Sequence, residues 1–465
     1  MRQLIFGILV MLVGQNLVAQ DFELELVGQW SNDSLRDYKG QIFNDIWGWE
    51  DDFGREYVIM GSIDSTYFID VTFPENPVIC DVEAGKDDTC IHRDYKTYGN
   101  YCYAVADEGQ SSLQIFDLSY LPDSVHKVYD SDELTRLSHN IFIDDGKAFL
   151  ATNWHKKWGR IPMTILDITE NPEEPFATNH LPQLKIEDDV VFNHVHDVFV
   201  RDNIAYCSNG SGGLFLYDIG QKDANGLKLV GQLTEYIDQG YNHASWLTDD
   251  DDYLIMADET HGMRLKMVDV KDFSQLQVVS TFGSNAELGS IPHNPFVVGD
   301  KCFVSYYHDG LVVFDISNPE DIYIADAFDT YPTNGDSIYS GYEGCWGVYP
   351  FFKSGLIAAS DMSFGLFLFK TKNWDNPLVN NLETPSLLHV RLNNNVIDVQ
   401  FNDAYDGQID VKVFSIKGQL QQQYSQGFSG RYYKQNITPL SNGVYVVVVE
   451  TEFGTEILKS VKYEK

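Results

Sequence analysis

The stretch GLVVFDISNPE at positions 310–320 constrains this chain most, because versions of it keep returning. It is an alternating apolar strand closed by an Asp and followed by a polar turn with Pro. Variants stand at 67–71 (YFIDV), 113–118 (LQIFDL), 163–168 (MTILDI), 214–219 (LFLYDI), 265–270 (LKMVDV) and 366–369 (LFLF). Most neighbours are about 45 to 55 residues apart, near the period of a four-stranded propeller blade. Alternation over four to six residues is the half-buried strand period, and the intervening Gly, Asp and Asn suit hairpin turns. Seven units follow, at 43–85, 90–130, 138–183, 193–233, 241–284, 292–331 and 343–371. The expected fold is all-β, with a seven-bladed β-propeller over residues 21–371.

The seventh unit stops after its third strand. Residues 24–30 read LELVGQW, nearly the LKLVGQL of 227–233, yet they precede the first unit. An N-terminal strand is therefore expected to complete the last blade and close the ring, which removes exposed sheet edges. Beyond Phe369 the pattern breaks. Residues 372–386 read as a polar linker, and 387–465 as a small β-sandwich of six short strands, at 396–401, 408–416, 419–424, 431–437, 444–450 and 456–461.

Residues 1–20 read as a secretory signal peptide, with Arg2 ahead of a short apolar core and small residues at Val18-Ala19. That core is too short to span a bilayer, and no later segment reaches the length of a transmembrane helix. Export permits disulfides, and Cys80 and Cys90, flanking one acidic loop, are the expected bridged pair. The other four Cys fall in or beside apolar strands and read as buried thiols. With 32 basic against 69 acidic residues the formal charge is −37, which argues against a nucleic-acid partner.

The repeat also supplies a register. Aligning the starts of the first strands stacks Asn44, His92, His139, His196, His243, His293 and Glu343 at one position, which a propeller puts at one mouth of its channel. Loops between second and third strands reach the same face with Asp107-Glu108, Asn153, His155, Asn209, Asp258-Glu259, His261, His308-Asp309 and Asp361. Three readings stay open, one of them anion binding by partly protonated rings. Neighbouring imidazoles, with His194 beside His196 on one strand, could hold a divalent transition metal as cofactor. Alternatively each His tethers its blade to the next, repeated because the blade is repeated.

A longer loop in the third unit, NWHKKWGRIP (153–162), gathers Trp154, Lys156, Lys157, Trp158 and Arg160. Such a set could hold a glycan, a small acidic ligand or a protein partner, or simply pack on the next blade. The Asp run at 249–252 lacks EF-hand spacing and reads as a solvated turn. No nucleophile elbow, P-loop or HExxH occurs in the sequence.

Two stretches carry resemblances. VFS (413–415) with Lys417-Gly418, LSNGVY (440–445) and ILKSVKYEK (457–465) resemble the type IX secretion sorting domain of Bacteroidetes-type bacteria. That resemblance implies the type IX machinery as a partner, and a final location secreted or on the outer cell surface. SHN (138–140), YNHASWLTD (241–249), FDTYP (328–332) and CWGVYPFFKSG (345–355) resemble the choice-of-anchor B family, related to LVIVD-repeat proteins. The fit covers most of 40–371, with a partial departure at DETH (258–261). It implies fold and address rather than a reaction. The functional expectation is a binding module for a ligand or partner. The alternatives are a metal-dependent hydrolase or lyase at the His-rich mouth, and a structural surface protein.

Overall fold

The computed structural model describes residues 22–462, apart from 33, 183, 187–188, 193, 224–225, 334–337, 380–387, 394–395, 442 and 452–453. The signal peptide of the sequence reading and about half of the expected linker lie outside the described residues. Within them the chain is all-β and propeller-like, built from four-stranded antiparallel sheets. Seven such sheets are described. Their inner strands are Phe43–Glu50, Arg93–Tyr98, Asn140–Asp144, Val198–Arg201, Asn242–Leu247, Asn294–Val298 and Cys345–Tyr349. Six sheets take their strands in chain order. Each inner strand packs beside the next, and Cys345–Tyr349 packs beside Phe43–Glu50. No helix among the described residues is long and apolar enough to cross a membrane.

The seventh sheet takes its outer strand from the other end of the chain. Glu23–Trp30 pairs antiparallel with Gly365–Lys372, with Leu26 opposite Phe369 and Trp30 opposite Leu366. The glycine of the shared LVGQ pattern has a steric reason. A Cβ on Gly28 would sit 1.7 Å from the Pro74 carbonyl oxygen of the first sheet's last turn. At the matching Gly231 in the fourth sheet a Cβ would sit 2.6 Å from the Phe273 carbonyl oxygen, after the fifth sheet's third strand. Both glycines let an outer strand press on backbone of the following sheet, a contact only a bare Cα permits.

The repeated Asp–turn strand is the third strand of each sheet, and its apolar residues fill the seams. Phe68 and Phe116, from successive copies, meet edge-on at 5.4 Å within a cluster that includes Tyr57, Ile59 and Tyr95. Fully burying such a side chain is worth about 1.5–3 kcal/mol. Every seam repeats it.

The cysteines correct one expectation. Cys80 and Cys90 are free thiols. Cys80 lies four residues before Ala84, which pairs with Ser65, so it sits about 13 Å down the strand at the usual rise. The Cys90 amide instead donates to the Ile63 carbonyl beside that far end. A disulfide needs Cα atoms within about 7 Å.

The C-terminal region is one continuous sheet rather than six short strands. Val396–Ser415 and Leu420–Asn436 are long strands that each merge two expected ones. Leu388–Asn393 pairs with the first half of Val396–Ser415 and Gly443–Thr451 with the second, across a register shift between Gln400 and Tyr405. Val399 and Val411, one from each half, share a core with Tyr433 and Val447. This region meets the first sheet directly. Arg55 Nε donates to Gln400 Oε1 at 2.6 Å, Arg431 pairs with Glu75, and Phe73 meets Tyr432 edge-on at 5.4 Å.

Candidate metal centre at the channel mouth

Where the inner strands begin, five imidazoles stand in a near-continuous circle. Ring centroids are 5.5 Å apart from His92 to His139, 4.1 Å to His196, 4.4 Å to His243 and 4.4 Å to His293. Trp346 closes the circle, at 5.1 Å from His293 and 5.3 Å from His92. Here the structure corrects the register. Glu343 is exposed outside the circle, where it accepts a hydrogen bond from Tyr331 Oη at 2.6 Å. Gly344 at φ +106° and a bulge between Cys345 and Gly347 place Trp346 at the position that counting from the unit start gave to Glu343. Asn44 serves as a tether, its Nδ2 donating to the Ser62 and Cys90 carbonyls.

Loop residues hold the imidazoles from behind. His139 Nδ1 lies 2.6 Å from Asp107 Oδ2, and His92 Nδ1 lies 2.7 Å from Glu108 Oε1. The Tyr241 hydroxyl stands between two rings, 3.0 Å from His196 Nδ1 and 3.1 Å from His194 Nε2. His194 and His196, expected as a ligand pair, are thus joined through a tyrosine. His293 Nδ1 faces the Trp346 carbonyl at 2.5 Å. Tyr307 Oη donates to Glu259 Oε1 at 2.6 Å, and the other oxygen of Glu259 is 3.9 Å from His243 Nε2.

What remains is a set of ligand atoms facing one another. One atom each from His139, His196 and His243 lie mutually within 4.8 Å, as do those of His243, Glu259 and His293, and of His92, Asp107 and Glu108. Two nitrogens, His196 Nε2 and His243 Nδ1, are buried without a hydrogen-bond partner. A buried polar atom left so costs about 1–3 kcal/mol. Three imidazoles around one point suit a tetrahedral transition metal with its fourth position open, and a carboxylate behind a ligating His is the usual outer support.

The circle is electrostatically divided. Burial works against a charged ring at His92, but Asp107 and Glu108 outweigh it and hold its pKa up at about 10. His139 is likewise raised, burial being overcome chiefly by the Asp107 charge, and Asp107 in turn is pulled well below the usual carboxylate range by His139 and His92 despite its burial. Burial, then neighbouring imidazoles, push His196 and His243 far down, and burial takes His293 to about 3. Burial also raises Glu259. His196, His243 and His293 are therefore in the neutral form that binds metal, whereas His139 would release a ring proton on binding.

The other expected ligands lie elsewhere. Asp258 is fully buried in an ion pair with Lys266 at 2.8 Å and also accepts from Tyr236 Oη and the Gly240 amide. His261 Nδ1 faces the Gly289 carbonyl, His308 stacks on Tyr339, and Asp309 accepts from Asn285. In the long loop Lys156 pairs with Asp132, Lys157 Nζ lies 5.7 Å from the Trp158 ring centroid, and the exposed Trp154 lies under Arg136 at 5.9 Å. Trp158 stacks on His155 at 4.2 Å and lines a groove of about 250 Å³ with Arg160, Pro162 and His180.

The register also carried a signal that the sequence reading missed. Three residues after the mouth position come Trp47, Phe142, Phe199, Trp246, Phe296 and Tyr349. At about 3.3 Å per residue they form a second layer roughly 10 Å below the circle. Trp246 is the hub, 4.7 Å from Phe199, 5.0 Å from Phe296 and 5.4 Å from Phe351. Between the two layers lies a cavity of about 50 Å³. It admits ions and water, not a sugar.

No family model and no curated protein matches this chain. Among solved chains, one described as "Structure of U3-55K" is similar with a TM-score of 0.49 and 10% identity, over 75% of this chain and 98% of that one.

Proposed function

We propose that this chain is an exported seven-bladed β-propeller, closed by its N-terminal strand, whose channel mouth binds a divalent transition metal through His139, His196 and His243. The metal's open position would take a small ligand from the solvent side, which makes the protein a metal-dependent binding module. One observation carries the reading: two of the three residues of that triad have a nitrogen buried without a hydrogen-bond partner, His196 Nε2 and His243 Nδ1, while Asp107 and Tyr241 lie against Nδ1 of His139 and of His196. The pairing of Glu23–Trp30 with Gly365–Lys372 supports closure of the ring. The resemblances to the choice-of-anchor B family and to the type IX sorting domain support export to the cell surface or medium. The test of address is fractionation of the source cells, with mass analysis of the mature chain.

A hydrolase or lyase is the second reading, favoured by Glu259. Its carboxylate lies beside His243 and accepts from Tyr307, where a general base would stand next to a metal-bound water. Elemental analysis of the purified full chain, with and without His196→Ala and His243→Ala, tests the metal. One equivalent of transition metal, lost in the double variant, supports it. Metal-free protein that takes up none on zinc titration overturns both readings.

A further inference from the structure

We infer that the channel holds a second cation site beneath the histidine circle, built from oxygen rather than nitrogen and suited to a calcium-class ion. The cavity below the imidazoles is lined by Asp45, Asp94 and Asp197, one or two residues further along the inner strands than the mouth position. Lys96 is the cation they engage, its Nζ bonding Asp94 Oδ1 at 2.9 Å and lying 4.2 Å from the Trp47 ring centroid. Arg93 also borders the cavity, but its guanidinium is committed to the Ser62, Ile63 and Asp87 carbonyls. Three carboxyl groups against Lys96 and Arg93 leave acid in excess over Lys and Arg on the cavity wall.

Independent of the acidic residues, the cavity walls offer unused oxygen. Ser245 Oγ, Asn140 Oδ1 and Asn294 Oδ1 are each buried without a hydrogen-bond partner, and all three residues line the same cavity. Ser245 is only 6% exposed. Asp94 is largely spent, accepting from the Tyr95 amide, Lys96 and the Ile141 amide, each at 2.7–2.9 Å. Asp45 and Asp197 thus remain the carboxyl donors. The absence of a side chain at Gly347 makes room for the first, since a Cβ there would meet Asp45 Oδ1 at 2.6 Å. Two carboxylates and three neutral oxygens approach the six to eight oxygen ligands that calcium takes, with water for the rest. The about 50 Å³ available holds one ion with little more than one water. Nitrogen above and oxygen below sort a transition metal from a hard cation by ligand chemistry.

The test is calorimetric titration of chelator-stripped full chain with calcium chloride and, separately, with zinc chloride. The expected result is one calcium per chain, abolished in Asp45→Asn/Asp197→Asn and retained in His196→Ala/His243→Ala. Zinc binding should show the reverse dependence, so failure of one site is distinguishable from failure of the other. Ser245→Ala, a change too small to threaten the fold, should weaken calcium by at least about tenfold while zinc is unchanged. Calcium uptake that survives the Asp pair, zinc alone filling both places, or no calcium uptake would each overturn the inference.

Discussion

His139 and Asp107 belong to different sheets, yet His139 Nδ1 lies 2.6 Å from Asp107 Oδ2 across the seam between them. Asp107 also lies 3.4 Å from His92, so one carboxylate orients two members of the circle. Asp107→Asn should leave the fold intact and weaken zinc by about 10–100-fold, the usual cost of losing outer-shell support. Competition against a chromophoric chelator measures it. Unchanged affinity would reduce Asp107 to a tether.

Deleting residues 22–30 removes the outer strand of the seventh sheet and bares the edge of Gly365–Lys372. Calorimetry should show a lower melting temperature or a concentration-dependent dimer that re-pairs the edge. An unaltered monomeric melting curve would contradict closure.

Glu56 predicts a pH dependence. Burial pushes its carboxyl from 4.5 up to about 7, against bonds from the Ser354 amide and hydroxyl that favour the charged form. The folded chain therefore holds that proton more tightly than the unfolded one. The contribution is fully present below about pH 4.5 and is lost as pH rises through about 7. Denaturant titrations between pH 5 and 8 should show wild type losing up to about 3 kcal/mol relative to Glu56→Gln. Parallel pH profiles would refute it.

Trp246 meets four other aromatic rings, those of Phe142, Phe199, Phe296 and Phe351, in the layer below the circle. Trp246→Ala should cost about 3–5 kcal/mol, read from chemical denaturation. A cost below about 1 kcal/mol would mean that the layer is not packed.

Thiol counting checks the correction at Cys80 and Cys90. Denatured, unreduced chain should react with six equivalents of maleimide, one per cysteine of the sequence, and four equivalents would restore the bridge.

The repeat made the sheets legible, because the alternation of LVVFD and its copies is the strand period itself. Even the strand contributed by the N-terminus was visible as LVGQW. The circle of five imidazoles followed from the same register. It failed at Glu343 because a bulge beside Gly344 is a backbone event with no period. The roles of Asp107 and Tyr241 were hidden for another reason. Both reach a His on another sheet, and a repeat reports what each unit shares rather than what crosses the seam. The Cys80–Cys90 expectation failed because closeness in sequence around a loop ignored the length of the strand between. The C-terminal strands merged because the gap expected between 401 and 408 carries pairing, with Asp406 opposite Ser429 and Gly407 opposite Phe428.

The most direct measurement is X-ray absorption at the zinc edge on the stoichiometric zinc complex of the full chain. The account predicts a first shell with three imidazole nitrogens at about 2.0–2.1 Å, converted to another shell by His196→Ala/His243→Ala. A first shell of oxygen alone, or one indifferent to those substitutions, would contradict it.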